Sequence, residues 1–238
     1  MTQRKDFKII GILGGMGPMA TVECFKTIIE KTPAEKDQNH IPIFINNIPQ
    51  VPDRTDSIIG DGENPVPILR SSAKKLEGAG ADFLIIPCNT AHYYIEEIQS
   101  AVKIPILNMI KSTIESLPKD SNVGLLATSG TISTGIYQKY AKGKVNIITP
   151  DKDFQDLFMK IIYGKKGVKA GYDGEILTKK MLEIVKHLRE KGADNFIAGC
   201  TEVRIILDDL DIDKGSLFKP IDVIAEKSVQ IALGNKEI

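Results

Sequence analysis

Cysteine is scarce in this chain. There are three, Cys24, Cys88 and Cys200, far apart and without a CxxC pair. An odd, widely spaced set argues against a disulfide framework, and a zinc site would have to be gathered from scattered ligands. Net charge is also missing, because 31 Lys and Arg balance 31 Asp and Glu. That removes the electrostatic case for nucleic acid or an anionic membrane surface as partner. No apolar run is long enough to span a bilayer. The opening MTQRKDFKII carries basic residues, but the apolar stretch after it is brief and glycine-rich. It reads as a first strand rather than a signal peptide. These absences predict a cytoplasmic protein with free thiols and neither nucleic acid nor membrane as partner.

What is present is an alternation of short apolar runs with helical patterns. Strands are expected near 7–13, 41–47, 82–87, 104–108, 121–127, 145–149 and 194–199. All are rich in Ile, Leu or Val and lack polar alternation, as strands buried on both faces do. Helices are expected over 18–31, 65–79, 90–101, 131–141, 153–163, 173–191 and 201–209, with a last helix in KPIDVIAEKSVQIALG. Such alternation implies an α/β fold with mostly parallel sheets and right-handed crossovers.

The chain also resembles itself. Ile10-Gly11-Ile12-Leu13 aligns with Val123-Gly124-Leu125-Leu126, Gly17 with Gly130 and Thr21 with Thr134, an offset of 113. Lys74, Leu76, Gly80, Ala81, Asp82, Ile85 and Cys88 align with Lys186, Leu188, Gly192, Ala193, Asp194, Ile197 and Cys200, an offset of 112. Two segments with nearly one offset imply two similar domains, although helix-Gly-Ala-Asp-strand units are common in α/β proteins. The expected division is 1–110 plus 216–238 for the domain of Cys88, and 111–215 for that of Cys200. KDSN (119–122) and the polar run 208–216 are expected to hold the crossings between them.

Cys88 and Cys200 each sit where a strand stops and a helix starts. Ligands of parallel sheets bind at such carboxyl ends. A helix N-terminus lowers a thiol's pKa from about 8.5 toward neutrality. Asn89 or Thr90 could cap the first helix and Thr201 the second. If the domains face each other, the two thiols meet across one cleft. A thiolate on one side and a thiol on the other can then invert a stereocentre by proton transfer. A buried structural cysteine, a redox pair, or a nucleophile at Cys88 paired with His92 are the alternatives. His92 has no counterpart in the second half, where Arg204 stands. It reads as a helix-face residue that tunes Cys88, while His40 reads as a loop residue and His187 as a surface residue.

The segments GILGGMGPMAT, VPDRT, PCNTAH, PILNMI, GLLAT, GVKAG and AGCTEV run in order over nearly the whole chain. In them the chain resembles the aspartate/glutamate racemase superfamily, most closely its aspartate racemase branch. The resemblance implies two pseudo-symmetric α/β domains with the active site in the cleft between them, and a homodimer. It also implies cofactor-independent racemisation of a small dicarboxylic amino acid, with no metal and no pyridoxal phosphate. Cys88 and Cys200 match the family's acid/base pair. Arg54 of VPDRT, on a proline-punctuated loop, is the forked donor for a carboxylate, although an ion pair with Asp53 or Asp56 would explain it too. Lys169 of GVKAG matches the carboxylate partner from the second domain. Asn89, Thr90 and Ala91 offer N–H groups and side chains to a carboxylate. Thr128 and Thr201 are their counterparts in position, and Glu202 could meet the substrate ammonium.

Gly15-Met16-Gly17-Pro18-Met19-Ala20 also fits the G-x-G-x-x-A fingerprint of dinucleotide sites. That fingerprint needs an acid at the end of the second strand, where this chain has Asn46 and Asn47. The loop, with Met16 at its centre, is therefore read as a backbone wall beside the substrate. Aspartate is the favoured substrate. Glutamate or a broader set of amino acids is the alternative, and a small-dicarboxylate isomerase or a nucleotide-binding module is more remote.

Overall fold

The structure, a computed structural model, describes residues 7–207 and 217–237. The elements in chain order are β1 (Ile10–Gly14), α1 (Pro18–Lys31), β2 (Ile43–Asn47), α2 (Arg54–Ile59), α3 (Val66–Gly78), β3 (Phe83–Ile85), α4 (Ile95–Gln99) and α5 (Met109–Ser116). There follow β4 (Asn122–Leu126), α6 (Ser129–Ser133), α7 (Ile136–Ala141), β5 (Asn146–Ile148), α8 (Lys152–Tyr163), α9 (Glu175–Glu190), β6 (Asn195–Ala198), α10 (Val203–Leu207), β7 (Leu217–Phe218) and α11 (Pro220–Ala232).

They form two parallel sheets flanked by helices, in the orders β2-β1-β3 and β5-β4-β6-β7. The chain divides into two compact units. One comprises Met1–Asp53, Glu63–Met109 and Ile221–Ile238, the other Arg54–Gly62 and Ile110–Pro220. The passages between units thus fall at α5 and α11 and on either side of 54–62. The turn at 119–122 lies inside the second unit, where the Asp120 N–H donates to the Lys144 carbonyl and the Ser121 hydroxyl to that of Pro118. Its polarity marks a tight turn, not a crossing. The other expected crossing, 208–216, lies outside the described residues.

The internal repeat is visible in the strand register. Ile10, Gly11 and Ile12 pair with Phe83, Leu84 and Ile85. Their counterparts Val123, Gly124 and Leu125 pair with Asn195, Phe196 and Ile197. Even the flanking bonds agree: the Asp82 N–H donates to the Ile9 carbonyl at 2.9 Å, and the Asp194 N–H to that of Asn122 at 3.0 Å.

In the second unit both faces of the sheet are buried. Leu126, Phe196 and Ala198 pack with Phe158 and Ile161 of α8 and with Met181, Ile184, Val185 and Leu188 of α9. Val123, Leu125 and Ile197 pack on the other face with Ile110, Ile114, Tyr137 and Ala141. Each α9 residue named recurs at helical spacing, so one stripe faces the sheet. In the first unit Ile10, Ile12, Phe83 and Ile85 pack with Cys24 and Ile28 of α1 and with Ile224 and Val229 of α11.

Four expectations need correction. β2 is an edge strand, so Phe44 and Ile45 are exposed rather than buried on both faces. The strand expected at 104–108 is a single bridge of Ile106 to Leu84. Pro105 has no N–H to give, and the N–H groups of Ile104 and Ile106 go to the Glu77 and Gln99 side chains. The helix expected over 131–141 is two short ones, α6 and α7, interrupted at Thr134–Gly135. Arg54 opens a helix, α2, where a loop was expected, and it packs with the second unit although expected within 1–110.

Gly130 makes that last arrangement possible. A Cβ at this position of α6 would lie 2.8 Å from Cα and Oγ1 of Thr55. Gly130→Ala should therefore lower stability by about 1–3 kcal/mol, the usual cost of overpacking. Urea unfolding of the variant against wild type measures it.

Candidate active site

The second unit gathers most of the predicted side chains beyond the carboxyl ends of β4 and β6. Cys200 is buried two residues past β6. Its Sγ donates to Oε2 of Glu202 at 2.9 Å, and the Thr201 hydroxyl donates to the same oxygen at 3.0 Å. The other oxygen, Oε1, pairs with Nζ of Lys169 at 3.2 Å. Lys169 lies on a 3₁₀ turn (Val168–Ala170) and also sits over the ring of Tyr163, 5.1 Å from its centroid. Both oxygens of Glu202 are thus engaged within the protein, the opposite of the ammonium partner expected for it.

The electrostatics follow from burial and this geometry. Burial pushes the Cys200 thiol well above its ordinary range, the Glu202 charge adds to that, and Lys169 opposes it. For Glu202 burial likewise pushes the pKa up. The Lys169 charge and the hydrogen bonds from Cys200 and Thr201 outweigh it and hold the carboxylate below its usual range. The expected lowering of a thiol by a helix N-terminus is not found at Cys200. The following helix, α10, starts only beyond the turn at Thr201–Glu202.

Thr128, just past β4, caps α6 by accepting from the Thr131 N–H at 3.3 Å, and it accepts from the Thr55 hydroxyl at 3.3 Å. Arg54, buried at the start of α2, therefore stands next to a residue joined to Thr128. The Tyr163 hydroxyl reaches Thr55 Oγ1 at 3.5 Å. Thr55 and Tyr163 are additions to the set read from sequence. Thr55 adjoins Arg54 in VPDRT, but nothing local distinguishes Tyr163 from any tyrosine at a helix end.

The first unit holds Cys88, Asn89, Thr90, Ala91 and Met16, all buried. Cys88 lies three residues past β3, and Met16 lies beyond the neighbouring strand β1. Thr90 opens a 3₁₀ turn (Thr90–Tyr94) that leads into α4, so no long α-helix starts at the thiol, and neither Asn89 nor Thr90 caps it. In the glycine loop Gly15 has φ +102°, and a Cβ there would meet the Ile48 backbone at 2.4 Å. Its N–H donates to Thr21 Oγ1 at 2.9 Å, which ties the loop to α1.

His92 is fully buried, and it is a strut. Its Nδ1 bonds the Cys88 carbonyl at 2.8 Å, which requires the proton on that nitrogen. Its Nε2 accepts from the Met109 N–H at 3.0 Å. Burial pushes the imidazole down to about 4, against the pull of the Cys88 and Leu107 backbone. The ring is neutral at working pH and braces the turn that carries Cys88. His187 is likewise held inside its unit, stacked on Phe154 and accepting from the Asp151 N–H, and is not the free surface residue expected. Cys24 belongs to the core, where burial and then Asp222 push its thiol up to about 12.

Among the described residues no group of three or more His, Cys, Asp or Glu is placed to hold a metal ion, and no helix is long and apolar enough to cross a membrane. The model of the Asp/Glu/hydantoin racemase family matches residues 13–227. The chain belongs to that family. This racemase is 32% identical over 205 residues to the broad specificity amino-acid racemase RacX of Bacillus subtilis, a match over 84% of this chain and 88% of that one. Its fold is similar to that of the Picrophilus torridus aspartate racemase, with TM-score 0.79 and 29% identity over 95% of this chain and 94% of the other. An aspartate racemase homologue from Pyrococcus horikoshii shares the fold at TM-score 0.70 and 23% identity, over 94% and 98% of the two chains.

The His92 brace carries a pH signature. The unfolded imidazole takes a proton near 6.5, the buried one only near 4. Between those values the unfolded chain binds more protons, so stability falls as pH falls through this window and is intact above it. The loss by pH 4 should reach about 3 kcal/mol. Chemical unfolding followed against pH should show this slope in the wild type and a flatter one in His92→Phe.

Proposed function

We propose that this racemase is an aspartate racemase that inverts Cα without a cofactor, with Cys88 and Cys200 as the acid/base pair. The observation that supports this most is the equivalence of the two thiols. Each stands three residues beyond the same matched pair of strand residues, Ile85 and Ile197, in two sheets of one register. Residues that exchange the roles of acid and base with the direction of reaction need matching positions. The chemistry requires both sulfurs to reach one Cα from opposite faces.

In this reading Arg54 forks onto one substrate carboxylate and Lys169 meets the other. Thr128 and the N–H groups of Asn89, Thr90 and Ala91 add neutral donors, and Met16 lines the site. Charge that develops on the substrate as the α-proton leaves is stabilised by these fixed donors and cations. Glu202 does a different task. It holds the Cys200 proton on sulfur and keeps Lys169 in place until a substrate carboxylate competes for the lysine. The protein is read as a cytoplasmic homodimer. Exposed apolar side chains on α1, namely Met19, Val22, Phe25 and Ile29, support the dimer.

A broader amino-acid specificity is the second reading, favoured by the likeness to the Bacillus subtilis enzyme. A chiral assay across L- and D-amino acids without added cofactor separates the two. Aspartate alone should interconvert under the first reading, and several amino acids under the second.

Cys88→Ser and Cys200→Ser should each lose racemisation by orders of magnitude. In heavy water the wild type should place deuterium on Cα of the inverted product. Full activity in either variant, or product without deuterium, would sink the two-thiol mechanism.

Glu202→Gln should let the Cys200 thiol ionise at lower pH, because an amide no longer opposes the thiolate. The cysteine Cβ carbon shift in selectively labelled protein, followed against pH, reads this directly. Glu202→Asp should restore part of the wild-type curve, and an unchanged midpoint in Glu202→Gln would remove the role given to the carboxylate.

A further inference from the structure

The first unit carries a concave surface formed by none of the residues assigned to racemisation. It is a shallow cavity of about 770 Å³ between α3 and α4, lined by Asn64, Val66, Pro67, Arg70, Ser71, Lys74, Lys75 and Glu97. That volume is within the range of small-molecule sites. Three cations face it against one acid, Glu97, on a chain whose net charge is zero.

The spacing of these cations is unusual for this protein. Arg70 and Lys74 stand at i and i+4, an arrangement in which like charges destabilise a helix. Elsewhere four helical lysines have an acid four residues away: Lys26 with Glu30, Lys111 with Glu115, Lys179 with Glu175 and Lys186 with Glu190. Arg70, Lys74 and Lys75 form no ion pair or side-chain hydrogen bond with any described residue.

The internal repeat supplies a control. At the offset that aligns α3 with α9, Arg70 falls on Leu182 and Lys75 on His187. Lys74 falls on Lys186, which has its acid. The same helix in the second unit therefore lacks the basic face. A local arrangement that opposes folding and occurs in one of two equivalent helices points to binding.

We propose that this cavity binds an oligophosphate, either free or carried by a nucleotide. One turn of helix, about 5.4 Å, separates Arg70 from Lys74 and Lys75. That suits linked phosphates better than a single tetrahedral anion. Arg70 supplies the fork, the lysines point charges, and Asn64 and Ser71 neutral donors. Val66 and Pro67 form an apolar floor at the other end.

Titration calorimetry at low salt with sodium tripolyphosphate, ATP and adenosine tests it. Tripolyphosphate should bind the wild type with sub-millimolar Kd. Affinity should fall at least tenfold in Arg70→Gln/Lys74→Gln/Lys75→Gln, which changes exposed side chains only. The charge-matched control Lys179→Gln/Lys180→Gln/Lys186→Gln, also on exposed side chains, should bind as the wild type does. Equal affinity for ATP and tripolyphosphate assigns the site to the phosphate chain alone, and tighter ATP binding assigns it to a nucleotide. No binding to the wild type, adenosine as tight as ATP, or an equal loss in the control would overturn the proposal. Racemisation by the triple variant should match the wild type, so this test stands apart from that of the thiols.

Discussion

A parallel strand covered by helices on both faces can offer side chains to a ligand only where it ends. The places of Cys88 and Cys200 follow from that constraint. Along β4 and β6 alternate residues enter opposite cores, so none is free for chemistry. Past Ile85 and past Ala198 the backbone leaves the sheet, and a thiol follows within three residues in each case. The register of the central strands thus sets the positions of the two sulfurs before any side chain around them is considered.

The repeat is one of backbone, not of electrostatics. The Cys88 turn is braced by His92, a neutral imidazole bonded to two backbone groups. The Cys200 turn is backed by an ionised carboxylate shared among a thiol, a hydroxyl and a lysine. Burial raises the energetic stake in both. It keeps the imidazole uncharged, and it makes the Lys169–Glu202 pair far more consequential than a surface pair of the same length. Two halves of common architecture surround equivalent cysteines with different polar partners.

The second unit borrows from the middle of the first. Arg54–Gly62 leaves the run of residues around it and packs where α2 meets α6, admitted by the missing side chain at Gly130. A segment encoded between β2 and α3 thereby shares a unit with threonines, a lysine and a thiol encoded about seventy or more residues later. The hydrogen bond of Thr55 to Thr128 marks the join.

The composition, the strand–helix alternation and the offset near 112 determined the fold class, the repeat and the place of both thiols at strand ends. These were legible because buried strands and amphipathic helices write their periods locally. The edge exposure of Phe44 and Ile45, the single bridge at Ile106, the break before α7, and the helices at 54–59 and 109–116 were not legible. Each depends on what lies beside the segment: a missing neighbour strand, a proline next to competing side-chain acceptors, a glycine under another helix. The same holds for chemistry. Sequence named Cys200, Glu202 and Lys169 as candidates, but only the tertiary structure decided that the carboxylate faces the thiol and the lysine. Hydrogen bonds and desolvation act through a few ångströms of space, and separation along the chain carries no record of either.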